Sequence, residues 1–183
     1  VIRKIRALLK KEEIRYEALD LNDMVEEILN VIRNDTAIAS LTIKKDFDPS
    51  LLPVWGDRIQ LQQVILNLVM NAAEAMKDVG PDRRILTVET SMKDERFAEV
   101  SVMDRGPGID GQDAGRLFEP FYTTKEKGTG LGLALVQKIV VSHDGRIAVS
   151  EAPGGGSGRV EQHEQVVVPV QLYIRSKDIF YIL

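Results

Sequence analysis

Gln60-Leu-Gln-Gln-Val-Ile-Leu-Asn-Leu-Val-Met-Asn-Ala-Ala-Glu-Ala-Met76 carries two opposed stripes on one helical period. Leu61, Val64, Ile65, Leu68, Ala72, Ala75 and Met76 recur at spacings of three and four and form an apolar face. Gln60, Gln63, Asn67, Asn71 and Glu74 recur on the other side. Asparagine is a poor helix former, so its place mid-helix leaves two readings. One is a solvated face. The other is a ligand face. Asn67 and Asn71 stand one turn apart, so their carbonyl oxygens can converge, and hard oxygens of that kind suit Mg²⁺ in company with phosphates and water. The helix is expected from about Asp57 to Lys77, broken by Gly80-Pro81-Asp82.

Upstream, residues 1–19 read as the end of a longer helix, with Ile2, Ile5, Leu8 and Leu9 as its stripe. Asp20 can cap a second helix, whose face is Leu21, Met24, Val25, Ile28, Leu29 and Ile32, running to about Asp35. Leu41–Phe47 alternates as a strand, Asp48-Pro49-Ser50 turns, and Val54-Trp55 is a short extended piece. Downstream, Ile85–Met92 and Phe97–Met103 read as a hairpin joined by Lys93-Asp94-Glu95-Arg96. A short helix is expected around Gln112–Phe118, and a longer one over Leu131–His143, ended by Asp144-Gly145. Strands at Arg146–Glu151 and Glu164–Ile174 and a tail over 175–183 complete the chain. This order favours an α+β two-layer sandwich, a mixed, mainly antiparallel sheet with helices on one face, over a parallel βαβ sheet.

The composition narrows the function classes. The chain has 183 residues, a net charge of −4, 44% hydrophobic and 28% charged residues, the balance of an ordinary globular protein. There is no cysteine, so disulfide scaffolds, cysteine zinc sites and thiol nucleophiles are excluded. His143 and His163 are the only histidines, too few for a histidine-rich metal site. No apolar run reaches the roughly 18–20 residues that span a bilayer, and the charged N-terminus is no signal peptide. A cytoplasmic domain is the expectation, with any membrane anchor in a parent protein. The mild acidity makes no case for nucleic acid.

Three loops carry further chemistry. Asp104-Arg-Gly-Pro-Gly-Ile109 ends an apolar strand with a carboxylate and two glycines. It is either a plain turn or an acceptor for an exocyclic amine, with backbone free to approach a base. Gly128-Thr-Gly-Leu-Gly-Leu133 opens a helix, where N–H groups and the helix dipole favour a phosphate; the alternative is a loop plus close helix packing. It matches neither a P-loop nor a dinucleotide fingerprint. Lys125 and Lys127 lie just upstream. Leu117-Phe-Glu-Pro-Phe-Tyr-Thr-Thr-Lys125 offers Phe118, Phe121 and Tyr122 as anchors for a lid, or as core packing.

In order and spacing, these motifs resemble the ATP-binding domain of sensor histidine kinases, within the superfamily shared with gyrase B subunits, MutL-type repair proteins and Hsp90-type chaperones. Leu66-Asn-Leu-Val-Met-Asn-Ala-Ala-Glu-Ala75 resembles the N box, Asp104-Arg-Gly-Pro-Gly108 the G1 box, Phe118-Glu-Pro-Phe121 the F box, and Gly128-Thr-Gly-Leu-Gly132 the G2 box. The likeness covers roughly residues 1–152, and residues 119–133 are similar to the nitrogen- and oxygen-sensing kinases.

The resemblance implies a Bergerat-type fold, with ATP and Mg²⁺ as cofactors. Asn71 would be the principal Mg²⁺ ligand, with Asn67 assisting at metal or phosphate. Asp104 would accept from the adenine amine, with Gly106 and Gly108 leaving room for the base. Lys125 would reach the phosphates, and Gly128, Thr129, Gly130, Leu131 and Gly132 would cradle them. Hydrolytic members carry a glutamate four residues before the Mg²⁺ asparagine. Here Asn67 stands there and cannot abstract a proton, which favours phosphoryl transfer to a side chain. The partners implied are a phosphoacceptor helix hairpin of the same protein, of which residues 1–19 would be the end, a response regulator receiver domain, and a second copy through that hairpin. The domain itself would span 20–174. Neither histidine is expected to be the acceptor: His143 lies near a helix C-terminus, whose dipole favours a partly charged imidazole, and His163 lies in a polar loop. A degenerate docking module and a superfamily ATPase are the competing readings. After Gly154–Gly156 the polar stretch 157–164 and the apolar tail 178–183 depart from the family pattern.

Overall fold

The computed structural model describes residues 15–94, 96–109, 114–123, 125, 128–149 and 168–175. Strand β1 (Glu17–Leu19) opens it, followed by helices α1 (Leu21–Ile32) and α2 (Thr36–Ala39) and strands β2 (Thr42–Phe47) and β3 (Val54–Gly56). Helix α3 (Arg58–Ala75), the hairpin β4 (Ile85–Met92) and β5 (Phe97–Asp104), helix α4 (Gly132–Ser142), and strands β6 (Arg146–Val149) and β7 (Val168–Arg175) complete it. Two single 3₁₀ turns lie at Pro81–Arg83 and Ala114–Arg116.

The main sheet has the order β2-β4-β5-β7-β6, with β2 parallel to β4 and every other pair antiparallel. Its mixed, mainly antiparallel character matches the expectation, as does the hairpin. Val88 faces Val102, Thr90 faces Val100 and Met92 faces Ala98 across that hairpin. Together with Leu86 and Ile174 these positions give the sheet its core face. The apolar stripes of α1 and α3 and the interior of α4 pack on it. The opposite register carries Glu89 against Ser101 and Ser91 against Glu99, and Ser101 donates to Glu99 Oε1 at 2.9 Å. Period-two alternation thus separates an apolar face under helices from a polar one. Asn22 of α1 ties the layers together. It donates to Asp48 O at 2.8 Å and accepts from Thr90 Oγ1 at 2.7 Å.

Three of the four helices begin at an aspartate. Asp20, Asp35 and Asp57 each accept from a first-turn N–H, an arrangement that contributes about 1 kcal/mol per cap. The predicted α1 ends at Ile32 rather than Asp35, because Asp35 caps a new one-turn helix that buries Ile38. Four residues, Thr36-Ala-Ile-Ala39, are too few to show a period, so α2 left no trace in the sequence pattern. Residues 17–19 are a correction of the expected N-terminal helix. They form β1, antiparallel to β3 in the register Glu17–Gly56, Ala18–Trp55 and Leu19–Val54. The stripe read for that helix lies before them, while an extended chain here buries Leu19 against Val54 and gives its backbone partners. The helix expected at 112–118 is, over the described residues, only the 3₁₀ turn Ala114–Arg116. The last two strands in the chain are β6 at the sheet edge and β7 inside it, the latter reaching Arg175. Residues 1–14, 150–167 and 176–183, with His163, the glycine run and the tail, lie outside the described residues.

Gly56, the last residue of β3, admits no side chain. A Cβ there would stand 2.6 Å from Leu61 Cδ1 and 3.0 Å from His143 Cδ2. Gly56→Ala is therefore expected to destabilise the domain by about 1–3 kcal/mol, the usual effect of overpacking. Thermal or urea unfolding checks this, and an unchanged midpoint would mean that the ring and Leu61 have room to move.

Candidate functional site

Helix α3 is the plank on which the site is built. Leu61, Val64, Ile65, Leu68, Val69, Ala72, Ala73 and Met76 are buried on the sheet side, which turns the Gln63, Asn67, Asn71 and Glu74 stripe to the other side. Ala75, expected in the apolar stripe, is only half-buried and lies under a loop glycine instead. Asn67 donates through Nδ2 to Gln63 O at 2.8 Å, one turn back. A Cβ on Gly132, the first residue of α4, would lie 3.6 Å from Asn67 Oδ1 and 3.8 Å from Asn71 Nδ2. The head of α4 thus stands directly over the two asparagines.

That head is open. Leu131 is the N-cap residue, and among the described residues the first turn has no side-chain cap hydrogen bond. Its own side chain is buried, so it anchors the turn rather than capping it. The leading N–H groups of α4 are left for a ligand or water, the arrangement that receives anions. Gly130 has φ +63°, and a Cβ on it would run into the backbone of Phe121 and Tyr122. In return Gly130 O accepts from Phe121 N–H at 2.9 Å. Gly128 N–H donates to Lys125 O at 3.1 Å, and Lys125 N–H to Thr123 Oγ1 at 3.1 Å. These bonds fold the segment 121–130 back on itself. Phe121 is corrected from anchor to exposed residue: it is 68% accessible with φ +68°. Phe118 and Tyr122 are half-buried, and Arg116 stacks 4.4 Å above the Tyr122 ring.

Asp104 ends β5 at the C-terminal end of α3. Its Oδ1 accepts from Gly106 N–H at 2.7 Å, and Gly106 packs so tightly that a Cβ would meet Ala75 Cβ at 3.0 Å. Arg105 N–H points at Met76 Sδ, 3.4 Å away. Gly108 turns the chain with φ +83°. Burial raises the Asp104 carboxyl above its ordinary value, against the lowering effects of the Gly106 bond and the Lys125 charge. Lys125 itself pairs with Glu74 Oε2 at 2.7 Å. Glu74 was on the polar stripe, but its partner, 51 residues away, left no mark in the sequence. Asn67, Asn71, Lys125, Gly132 and the Asp104–Gly106 turn therefore gather on one stretch of α3. Gly108, Thr129 and Leu131 sit in the bordering loops.

The family model for histidine kinase-, DNA gyrase B- and HSP90-like ATPases matches residues 56–163. The chain belongs to that family. It is similar to the sensory histidine kinase/phosphatase NtrB of Rhodobacter capsulatus, 41% identical over 71% of this chain and 40% of that protein. It is also similar to the sensor histidine kinase ZraS of Klebsiella oxytoca, 33% identical over 86% of this chain and 33% of that one. The catalytic domain of the histidine kinase ThkA superposes with a TM-score of 0.71 at 26% identity, covering 88% of this chain and 98% of that structure. The mycobacterial sensor histidine kinase MprB, at a TM-score of 0.73 and 24% identity over 89% and 99% of the two chains, shares the fold. The chain spans about a third of the length of the two curated relatives named. It is an ATP-binding catalytic domain of the sensor-kinase type, and the sandwich is the Bergerat fold expected. Among the described residues no helix is long and apolar enough to cross a membrane.

Burial outweighs the Gly106 bond and the Lys125 charge at Asp104, so its ionised form costs the domain stability. The native state binds the Asp104 proton more tightly than the unfolded chain, so stability falls as pH rises from 3.8 through the raised native value. Asp104→Asn keeps the acceptor for Gly106 and removes the charge. The nucleotide-free variant is expected to melt above the parent at neutral pH, with the gap closing below pH 4. A variant that melts lower at pH 7 would show that the carboxylate is stabilised by its surroundings.

Proposed function

We propose that this domain transfers the γ-phosphoryl of Mg·ATP to a histidine on a helix hairpin of the same protein, which passes it to a response regulator receiver domain. One observation carries the reading. The Asp104 turn, the open head of α4 and Lys125 converge on α3 around Asn67 and Asn71, with an amide where a hydrolytic base would stand. The acceptor imidazole attacks phosphorus, the bond between the γ-phosphorus and the bridging oxygen breaks, and ADP departs. Transfer of that kind rests on positioning and charge neutralisation more than on proton abstraction.

Each residue has a role in that scheme. Asp104 accepts from the adenine amine, and Gly106 and Gly108 give the ring room. The N–H groups of Gly130, Leu131 and Gly132 face the phosphates, with Gly128 and Thr129 shaping the approach. Lys125 exchanges Glu74 for phosphate oxygens. Asn71 and Asn67 offer amide oxygens to Mg²⁺, a fit for a hard cation that keeps phosphates and water in its shell. The catalytic unit spans Arg15 to residue 174, and dimerisation resides in the preceding hairpin.

Two measurements test this. Calorimetry with a non-hydrolysable ATP analogue should show binding that strengthens with Mg²⁺, and Asn71→Ala should abolish that dependence. Retention of it would move the metal elsewhere. With labelled ATP and a supplied hairpin bearing a histidine, label should appear on the hairpin faster than free phosphate forms. The reverse order would establish an ATPase, and binding with neither product a docking module.

A further inference from the structure

The end of the domain remote from Asn71 holds a buried polar cluster that the nucleotide site does not use. Asp57, 8% exposed, is the N-cap of α3. His143, 3% exposed, is the C-cap of α4. Asp57 N–H lies outside the helical ladder and needs a partner once buried. It donates to His143 Nε2 at 3.0 Å. The other ring nitrogen, Nδ1, is 2.8 Å from Ile139 O, a last-turn carbonyl that also accepts from Ser142 Oγ at 2.7 Å. An amide can only donate and a carbonyl can only accept. The ring is therefore the neutral Nδ1–H tautomer, in place of the partly charged imidazole expected, and both its nitrogens are engaged.

The incoming chain is fastened to the same cluster. Arg15 N–H donates to Asp57 Oδ2 at 2.9 Å, while Oδ1 caps Gln60 N–H. The Tyr16 hydroxyl donates to Ser142 O at 2.5 Å, and its ring lies 5.1 Å from the His143 ring. Strand β1 continues by pairing with β3, which leads straight into Asp57. Gly56 is bare because the imidazole occupies its side-chain space. Three pieces of backbone (the incoming segment, the start of α3 and the end of α4) are thus pinned at one point by hydrogen bonds that no one of them can satisfy alone.

Both helices then run from this point toward the site. Asn71 is fourteen residues along α3 from Asp57, about 21 Å at 1.5 Å per residue, and Gly132 is about 16 Å back along α4. Their far ends meet where Gly132 faces Asn67 and Asn71. Two rods fastened at one end and meeting at the other have a spacing there that the joint helps to set.

We propose that Tyr16, Asp57 and His143 form a joint through which the segment entering the domain sets the spacing between the asparagine stripe of α3 and the phosphate-facing head of α4, with His143 as a positioning residue. This rests on the reading of that gap as the nucleotide site, and it gives whatever precedes Arg15 a mechanical hold on ATP binding.

Three variants test it. Tyr16→Phe keeps the ring and loses the bond to Ser142. His143→Asn can still donate to Ile139 but is too short to accept from Asp57. His143→Gln can reach the Asp57 N–H. Hydrogen–deuterium exchange of amides 132–136, without nucleotide and well below the melting temperature, should quicken in Tyr16→Phe and His143→Asn and stay near the parent rate in His143→Gln. Affinity for the ATP analogue should follow, falling by roughly two- to thirtyfold, the range over which remote changes modulate a site. A merely structural cluster would lower the melting temperature and leave exchange and affinity alone. Parent-like exchange in both Tyr16→Phe and His143→Asn overturns the proposal, as does a His143→Gln as impaired as His143→Asn. If His143→Asn does not fold, Tyr16→Phe decides. If the parent domain binds no nucleotide, the reading of the site fails, and exchange alone still judges the joint.

Discussion

The burial of one face of α3 against the hairpin is the constraint on which the rest depends. Leu61, Val64, Ile65, Leu68, Ala72 and Met76 remove a continuous apolar strip from water, at about 25 cal/mol for each square ångström. A helix so held has no rotational freedom. Its opposite side is then fixed with it, and Asn67, Asn71 and Glu74 stand at a defined height above the sheet. The amides cost helix propensity, a loss that the buried side easily outweighs. Every other part of the site is located by touching this helix: Gly106 at Ala75, Gly132 at Asn67 and Asn71, Lys125 at Glu74.

Glycine makes those approaches close. At Gly106 the neighbour is Ala75 itself, at Gly130 the backbone of Phe121, at Gly56 the imidazole of His143. A methyl group at Gly106 or Gly130 would separate a loop from its support. The site is consequently assembled from loops whose positions are set by these close contacts together with short-range hydrogen bonds such as Phe121 N–H to Gly130 O and Gly106 N–H to Asp104 Oδ1. This is consistent with segments that must shift when a triphosphate enters.

Much of this was readable beforehand, and the reasons are physical. The stripes of α1 and α3 and the β4–β5 hairpin are local patterns with a definite period, so they survive any tertiary context. The four motifs could be picked out because they depend on residue type and short spacing, and the fold brings Asn67, Asn71, Asp104, Lys125 and Gly132 together. What escaped notice was either too short to have a period, as with α2 and β1, or created by distant contact. Asp57 and His143 are 86 residues apart, and each alone reads as an ordinary helix terminus. Phe121 read as an anchor because aromatic residues are usually buried. Its positive φ, imposed by the turn onto Gly130, points it outward instead.

The electrostatics of the empty site suggest how binding is made selective. Lys125 is shared between Glu74, which it contacts, and Asp104, whose carboxyl it lowers. The Lys125–Glu74 pair is half-exposed and so worth little, of order 0–1 kcal/mol. It can be given up without loss when a better anion arrives. On the function proposed above, a triphosphate would offer that anion together with its own cation, and an adenine amine would add a second donor to the Asp104 carboxylate beside the Gly106 N–H. The two ends of the ligand would then engage two separate groups, of which a free phosphate or a nucleoside would reach only one. Selectivity for the whole nucleotide would follow from the separation of these groups along α3, which the helix geometry holds constant.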